Sequence, residues 1–298
     1  MGNVYAYAVQ LALGLMFSTT TTCIGSWFLR KRSLMVGIGA GGAATGTVVF
    51  PIALNRLFDK MGWARALQVV GAVIAATLIV ANIIVVPRKL QKRSVPVLQL
   101  FASFLRQKSS LLSYIGTAAV MTSLFIPLFQ AQIFAESWGA SDVITTYTLT
   151  ILNSTAVVAR VVAGLIADRC GVFNTQVPVA FSMSILNFAF FATNSTAATV
   201  VFDLLFGCAF GCWVTIMPTA FMSLAEHPGE LGARTGLGMV FVSLAVLCGT
   251  PIAGALISAT GGRFWASSVF GGTAALIGAT LIVFARQTQV LRKGSQRV

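Results

Sequence analysis

Apolar residues in this chain run in long unbroken stretches, without the period-two alternation of a half-buried strand or the one-sided stripe of a helix with a wet face. Nine such stretches, at about 4–26, 34–56, 64–86, 111–133, 143–166, 176–193, 199–222, 235–259 and 264–285, are separated by polar breaks. Each is close to the roughly 20 residues that a helix needs to cross a ~30 Å hydrocarbon core. The pattern predicts an all-α polytopic membrane protein, a helical bundle of about nine transmembrane helices. Composition agrees: 57% of the 298 residues are hydrophobic, 9% are charged and the mean hydropathy is +0.87. A soluble domain of this size would need more charge to cover that much apolar surface.

All the breaks but one are short. The long one, 87–110, holds two prolines and six basic residues and divides three stretches from six. We therefore expect a partial N-terminal bundle of three helices (1–86), a basic linker (87–110), a six-helix bundle (111–286) and a tail (287–298). Within the linker, Leu98, Phe101 and Leu105 fall at the spacing of a short helix lying on a membrane surface, with Arg106 and Lys108 beside them. A solvated connector is the alternative.

The net charge of +13 acquires its meaning from position. Counting alternate breaks, fifteen basic residues fall on one side of the membrane, including Arg30, Lys31, Arg32, the linker cluster, Arg169, Arg234 and the C-terminal set. The other side has four, Arg56, Lys60, Arg65 and Arg263, and Arg160 lies inside a span. The positive-inside rule then puts the linker and C-terminus in the cytoplasm and the N-terminus outside. The excess is topological, with no basic face interleaved with aromatics outside the spans, so no nucleic-acid partner is expected. The first stretch is followed, not preceded, by its basic cluster, the reverse of a secretory leader, and no cleavable signal is expected.

Polar interruptions inside the spans narrow the chemistry. Arg160 sits about eight residues, or ~12 Å, from Asp168 at the end of its span. A buried arginine at that depth defaults to a functional role, as a clamp for an anionic group or as a packing contact to a neighbouring helix. Asn153, Ser154 and Thr155 lie one to two turns away and could share its cavity. Asp203 is the one acid within a span and lies towards the other face, too far to pair with Arg160. Glycines at 37/41, 42/46 and 207/211 offer close helix contacts, and Pro51, Pro127, Pro218 and Pro251 offer bends. Cys208 and Cys212, at i and i+4, read as small packing residues because no third ligand converges with them, so no metal or cofactor is expected. The single histidine, His227, falls in a loop, and no paired carboxylates, HExxH or nucleophile elbow appears, which argues against an enzyme.

The segment closing the fifth span, Gly164-Leu-Ile-Ala-Asp168-Arg169-Cys170-Gly171, resembles the cytoplasmic gating motif of the major facilitator superfamily. With Asn153, Arg160, Phe173 and Asn174 at their spacings, it looks like the eighth helix of monocarboxylate-porter-like fungal members. Trp27-Phe28-Leu29-Arg30-Lys31-Arg32 through Gly37 is similar to the start of that family's fifth helix. Arg234 through Gly238 with Gly249 through Gly254 is similar to its eleventh. The resemblance covers the whole chain and implies that the nine spans correspond to helices four to twelve, with the first three lacking. It carries over Arg32 and Arg160 as substrate or coupling residues, and Phe125, Gln130, Cys212 and Trp213 as cavity liners. Where animal monocarboxylate porters place an aspartate one turn before the arginine, this chain has Ala156.

The expected function is secondary active transport of a small organic solute, an organic anion or secondary metabolite among the candidates, by alternating access in the plasma, vacuolar or vesicle membrane. A coupled proton belongs to that expectation. The alternative is an N-terminally truncated, non-transporting paralogue, or a partner associated with a complete transporter chain.

Overall fold

The computed structural model describes residues 2–86, 88 and 97–298. Lys89, Lys92 and Arg93 of the basic linker lie outside the described residues. Ten α-helices follow in order: α1 Gly2–Trp27, α2 Arg32–Met61, α3 Trp63–Ile84, α4 Val97–Arg106, α5 Lys108–Ser137, α6 Asp142–Cys170, α7 Val172–Ala189, α8 Thr196–Ser223, α9 Leu231–Ala259 and α10 Trp265–Lys293. All but α4 coincide with the expected stretches. Among the described residues, eight helices are long and apolar enough to cross a membrane. They are α2, α3 and α5 to α10, and α1 occupies the ninth expected stretch.

Uniform apolarity makes these elements helical. In hydrocarbon every backbone donor and acceptor must be met within the segment, and a helix alone does so without a partner strand. The chain reverses at glycines that accept a positive φ: Gly62 between α2 and α3, Gly171 between α6 and α7, and Gly261 and Gly262 before α10. Helices α2, α5, α7, α8 and α9 each run through an internal proline.

Helices α5 to α10 form the densest part of the molecule. There α5 packs on α9 and α10, α7 on α8 and α10, and α6 on α8. Phe104, Tyr114, Phe173, Phe190, Phe206, Trp213 and Phe221 are fully buried within it. On one flank α2 lies along α6 and α8, α1 touches α2 and α9, and α3 packs chiefly on α2. Ala66 is the only buried residue of α3, which otherwise presents apolar side chains outward. The end of α1 is tied to the segment after α3, where the Trp27 indole donates to the Val86 carbonyl at 2.9 Å and Arg88 donates to the Ser26 carbonyl at 2.9 Å.

Two segments gain detail. Helix α10 continues to Lys293, so most of the expected tail 287–298 is helical. The linker forms a short helix, α4, which packs Phe104 and part of Phe101 on the bundle and leaves Leu98 and Leu105 outward. Phe104 is buried while Leu98 is 81% exposed. The guanidinium of Arg234 of α9 lies 4.0 Å from the Phe104 ring centroid, a cation–aromatic contact that fixes this face of α4 on α9.

Candidate functional site

The seam between α2 and α6 is built from small residues. A Cβ on Gly164 would sit 2.5 Å from the Ser33 carbonyl oxygen and 2.8 Å from the Leu34 Cα, so only glycine admits this approach. Gly37 of α2 likewise lies against the Arg160 backbone, and Gly41 faces Val161. On the other side of α6, Gly207 and Gly211 of α8 press on Leu152 and Ala156. Helix α6 is thus clasped between two glycine faces, the arrangement by which helices associate where lipid supplies no hydrophobic drive.

That approach places the Asp168 carboxylate on the first turn of α2. One oxygen accepts from the Ser33 amide and the other from the Leu34 amide, both at 2.9 Å. Two donors that an N-terminal turn leaves unmet are satisfied by a charged acceptor at the positive end of the helix dipole. Arg32, the first residue of α2, is half-buried and donates to the Gly25 carbonyl at 3.1 Å. Gly171 adopts a φ of +103° and closes α6, while Arg169 next to it is exposed. The chain end packs here: the Phe173 amide donates to the Val298 carbonyl at 3.0 Å, Asn174 donates to the Gln296 carbonyl at 2.8 Å, and Arg297 reaches the Asp168 carbonyl. Gly164 and Asp168 thus lie against the start of α2 and Gly171 against Val298, at the end of the bundle where the basic residues gather, while Arg169 points outward.

Deeper in the same seam, Arg160 is 7% exposed. One terminal nitrogen donates to the Ala40 carbonyl of α2 at 2.6 Å, and the guanidinium carbon lies 5.8 Å from the Phe210 ring centroid. Its Nε has no partner among the described residues. Ala40 also lines an open cavity of about 400 Å³ between α1, α2 and α8, among Met16, Phe17, Thr20, Thr21 and Pro218. Arg160 thus stands behind one wall of that cavity, held by a carbonyl of the wall. The threonines of α1 were missed in the sequence reading. Their signal is the run Thr19 to Thr22 inside an apolar helix.

Other expected liners lie elsewhere. Asn153 shares the Arg160 face of α6, but its amide donates to the Leu149 carbonyl. Ser154 is exposed and bonds to Ile151, and Thr155 turns to α8. Gln130 accepts from Ser267 of α10 at 3.1 Å, Phe125 stacks on Phe129 at 5.6 Å, and Trp213 is fully buried with its indole nitrogen 3.2 Å from the Met121 sulfur. These three belong to the packing of α5, α8 and α10, and the structure does not bring them to Arg160. Cys212 donates to the Ala159 carbonyl at 3.7 Å. Asp203 is 1% exposed, and neither carboxylate oxygen has a partner among the described residues. It does not meet Arg160.

A bundle of long apolar helices, eight of them long and apolar enough to cross a membrane among the described residues, defines a polytopic helical membrane protein. The chain belongs to the Major Facilitator Superfamily, whose family model matches residues 5–231. It is 31% identical to MFS-type transporter 1 of Ophiocordyceps sp., over 93% of this chain and 62% of that protein. It is also 31% identical to the aspyridones efflux protein of Emericella nidulans, over 95% of this chain and 59% of that one. The fujikurins efflux protein of Gibberella fujikuroi is 27% identical over 94% of this chain and 60% of its own length. The chain spans about three-fifths of the length of these relatives.

Proposed function

We propose that this chain carries the translocating helices of a fungal secondary transporter that exports a small organic solute by alternating access. The substrate class we assign is an organic anion or acidic secondary metabolite, and the proton is the coupling ion. Within the superfamily, the gating-motif spacing from Asn153 to Asn174 favours the monocarboxylate-porter-like branch. The printed names of two relatives, efflux proteins for aspyridones and for fujikurins, support the direction of transport.

The observation that carries the reading is the α2–α6 seam. Its clasp is a carboxylate on a helix N-terminus, a contact that breaks and reforms without leaving an unmet buried charge, because water reaches half-buried Asp168. One turn-rich step deeper, Arg160 is held by a carbonyl with its Nε unsatisfied, a cation available to an anionic group once the seam parts. The basic end faces the cytoplasm in this reading, and solute loads from there into the cavity bounded by α1, α2 and α8. The chemistry is translocation and not catalysis.

The test is secretion. The chain is expressed in a yeast host, and the medium is compared with that of cells carrying Arg160→Gln and of cells carrying no insert. Enrichment of at least one organic acid in the medium, lost with Arg160→Gln, supports the proposal. Indistinguishable media from all three strains count against it.

A further inference from the structure

A second cavity, of about 460 Å³, opens at the basic end of the bundle. Its lining comes from two sides. Leu29, Arg30, Arg32 and Ser33, at the turn from α1 into α2, form one wall; the ends of α6, α8 and α10 with the residues that follow them form the other. Four cationic residues, Arg30, Arg32, Lys293 and Arg297, line it together with one acid, Asp168. Both carboxylate oxygens of Asp168 are already taken by the Ser33 and Leu34 amides. Among the described residues, none of the four cations is in an ion pair with an acidic side chain. Three of them rest on carbonyls, Arg32 on Gly25, Lys293 on Ser223 and Arg297 on Asp168, and the charge of Asp168 also acts on Arg32. A carbonyl dipole does not neutralise a charge. Against the single side-chain carboxylate of Asp168, the cations of the lining are in excess.

Arg30, Lys293 and Arg297 are exposed and Arg32 is half-buried, so water screens their repulsion, but four cations around one open cavity leave a positive field that favours an anion. We propose that this cavity is an oxyanion site for a phosphate group, bound between the turn into α2 and the ends of α6, α8 and α10. A phosphate monoester carries about −1.5 to −2 charges and offers three acceptor oxygens. That suits three guanidinium forks and an ammonium better than a single carboxylate does. Because the two walls belong to opposite sides of the α2–α6 seam, the bound anion ties them together and stabilises the clasped arrangement. The phosphate comes from a soluble anion or from an inner-leaflet lipid headgroup. The site stands independently of the transport reading, because nothing in it requires a solute to move.

The test uses the full chain, purified into nanodiscs of neutral phosphatidylcholine, with its thermal unfolding followed against inorganic phosphate at constant ionic strength. A saturable rise in unfolding temperature is expected. The double variant Arg30→Gln with Arg297→Gln should raise the half-saturating concentration by about tenfold or more, and Arg30→Lys with Arg297→Lys should recover part of the loss. Lys31→Gln is the control, since it removes an exposed charge next to the cavity but not in its lining. It should change half-saturation by less than about twofold. A second arm replaces free phosphate by phosphatidic acid in the disc. Stabilisation in the first arm assigns a soluble anion, and stabilisation in the second arm alone assigns a lipid headgroup. The proposal is overturned if neither arm saturates, which the wild-type chain decides by itself. It is equally overturned if Lys31→Gln loses as much as the double variant, for then the charge acts only diffusely.

Discussion

At the scale of single residues, the clasp makes a graded set of predictions. Asp168→Asn keeps an acceptor for one of the two α2 amides but gives up the charge. Hydrogen bonds to charged groups contribute about 1.5–3 kcal/mol, so a loss of stability within that range is expected as a lower unfolding temperature. Gly164→Val should cost more, because its branched carbon would meet the Ser33 carbonyl and the Leu34 Cα, both backbone atoms that cannot rotate aside. If Gly164→Val unfolds at the wild-type temperature, the α2–α6 contact is not as close as described. The sequence made this pair visible: a glycine one turn before an acid at a helix end has few other uses. Arg160 was visible too, as a charge in an apolar run. Its partner was not, because a backbone carbonyl on a distant helix leaves no mark on residue identity. The same blindness displaced Gln130 and Trp213, polar-tipped residues that read as cavity liners and find their partners in the packed core.

At the scale of elements, length and apolarity located the long helices to within a few residues. Which face of each is buried was harder to read, since a span that is apolar all round has no stripe to follow. Small residues supply the direction. Gly37 and Gly41 face α6 and Gly207 and Gly211 face α6 from the other side, while Gly42 has open space before it. A GxxxG spacing thus permits a close contact but does not select which of two neighbouring pairs makes it, and Gly164 makes one without it. Helix α4 shows the converse. Its stripe was legible, but the inward Phe104, which meets the Arg234 guanidinium, was not. Arg234 is further fixed by Glu230, Gln107 and Ser110, which join α4, α5 and α9 at one point. Phe104→Ala should therefore cost about 3 kcal/mol or more, as for other buried phenylalanines, and speed amide exchange through α4. Leu98→Gln, on the exposed face, should stay within about 0.5 kcal/mol. Equal destabilisation by the two would mean that α4 is seated on its Leu98 face after all.

At the scale of the whole molecule, the question is whether the α2 flank moves against the α5–α10 unit. The seam between them is long and close, glycine against backbone, and ends at the Asp168 contact with the first turn of α2. Under the proposed alternating access it would have to part. Locking the seam is the direct check. In a background with the five native cysteines replaced, Gly41→Cys and Val161→Cys face each other: a Cβ at 41 lies 3.7 Å from a methyl carbon of Val161, within reach of a disulfide. Oxidation should crosslink α2 to α6 and stop solute export from cells, and a reductant should restore it. Crosslinked protein that exports at the uncrosslinked rate would place the moving boundary elsewhere, and the clasp at Asp168 would then be a fixed strut. The outcome also bears on Arg160, whose hold on Ala40 lies one residue from the crosslink and can open only if the seam does.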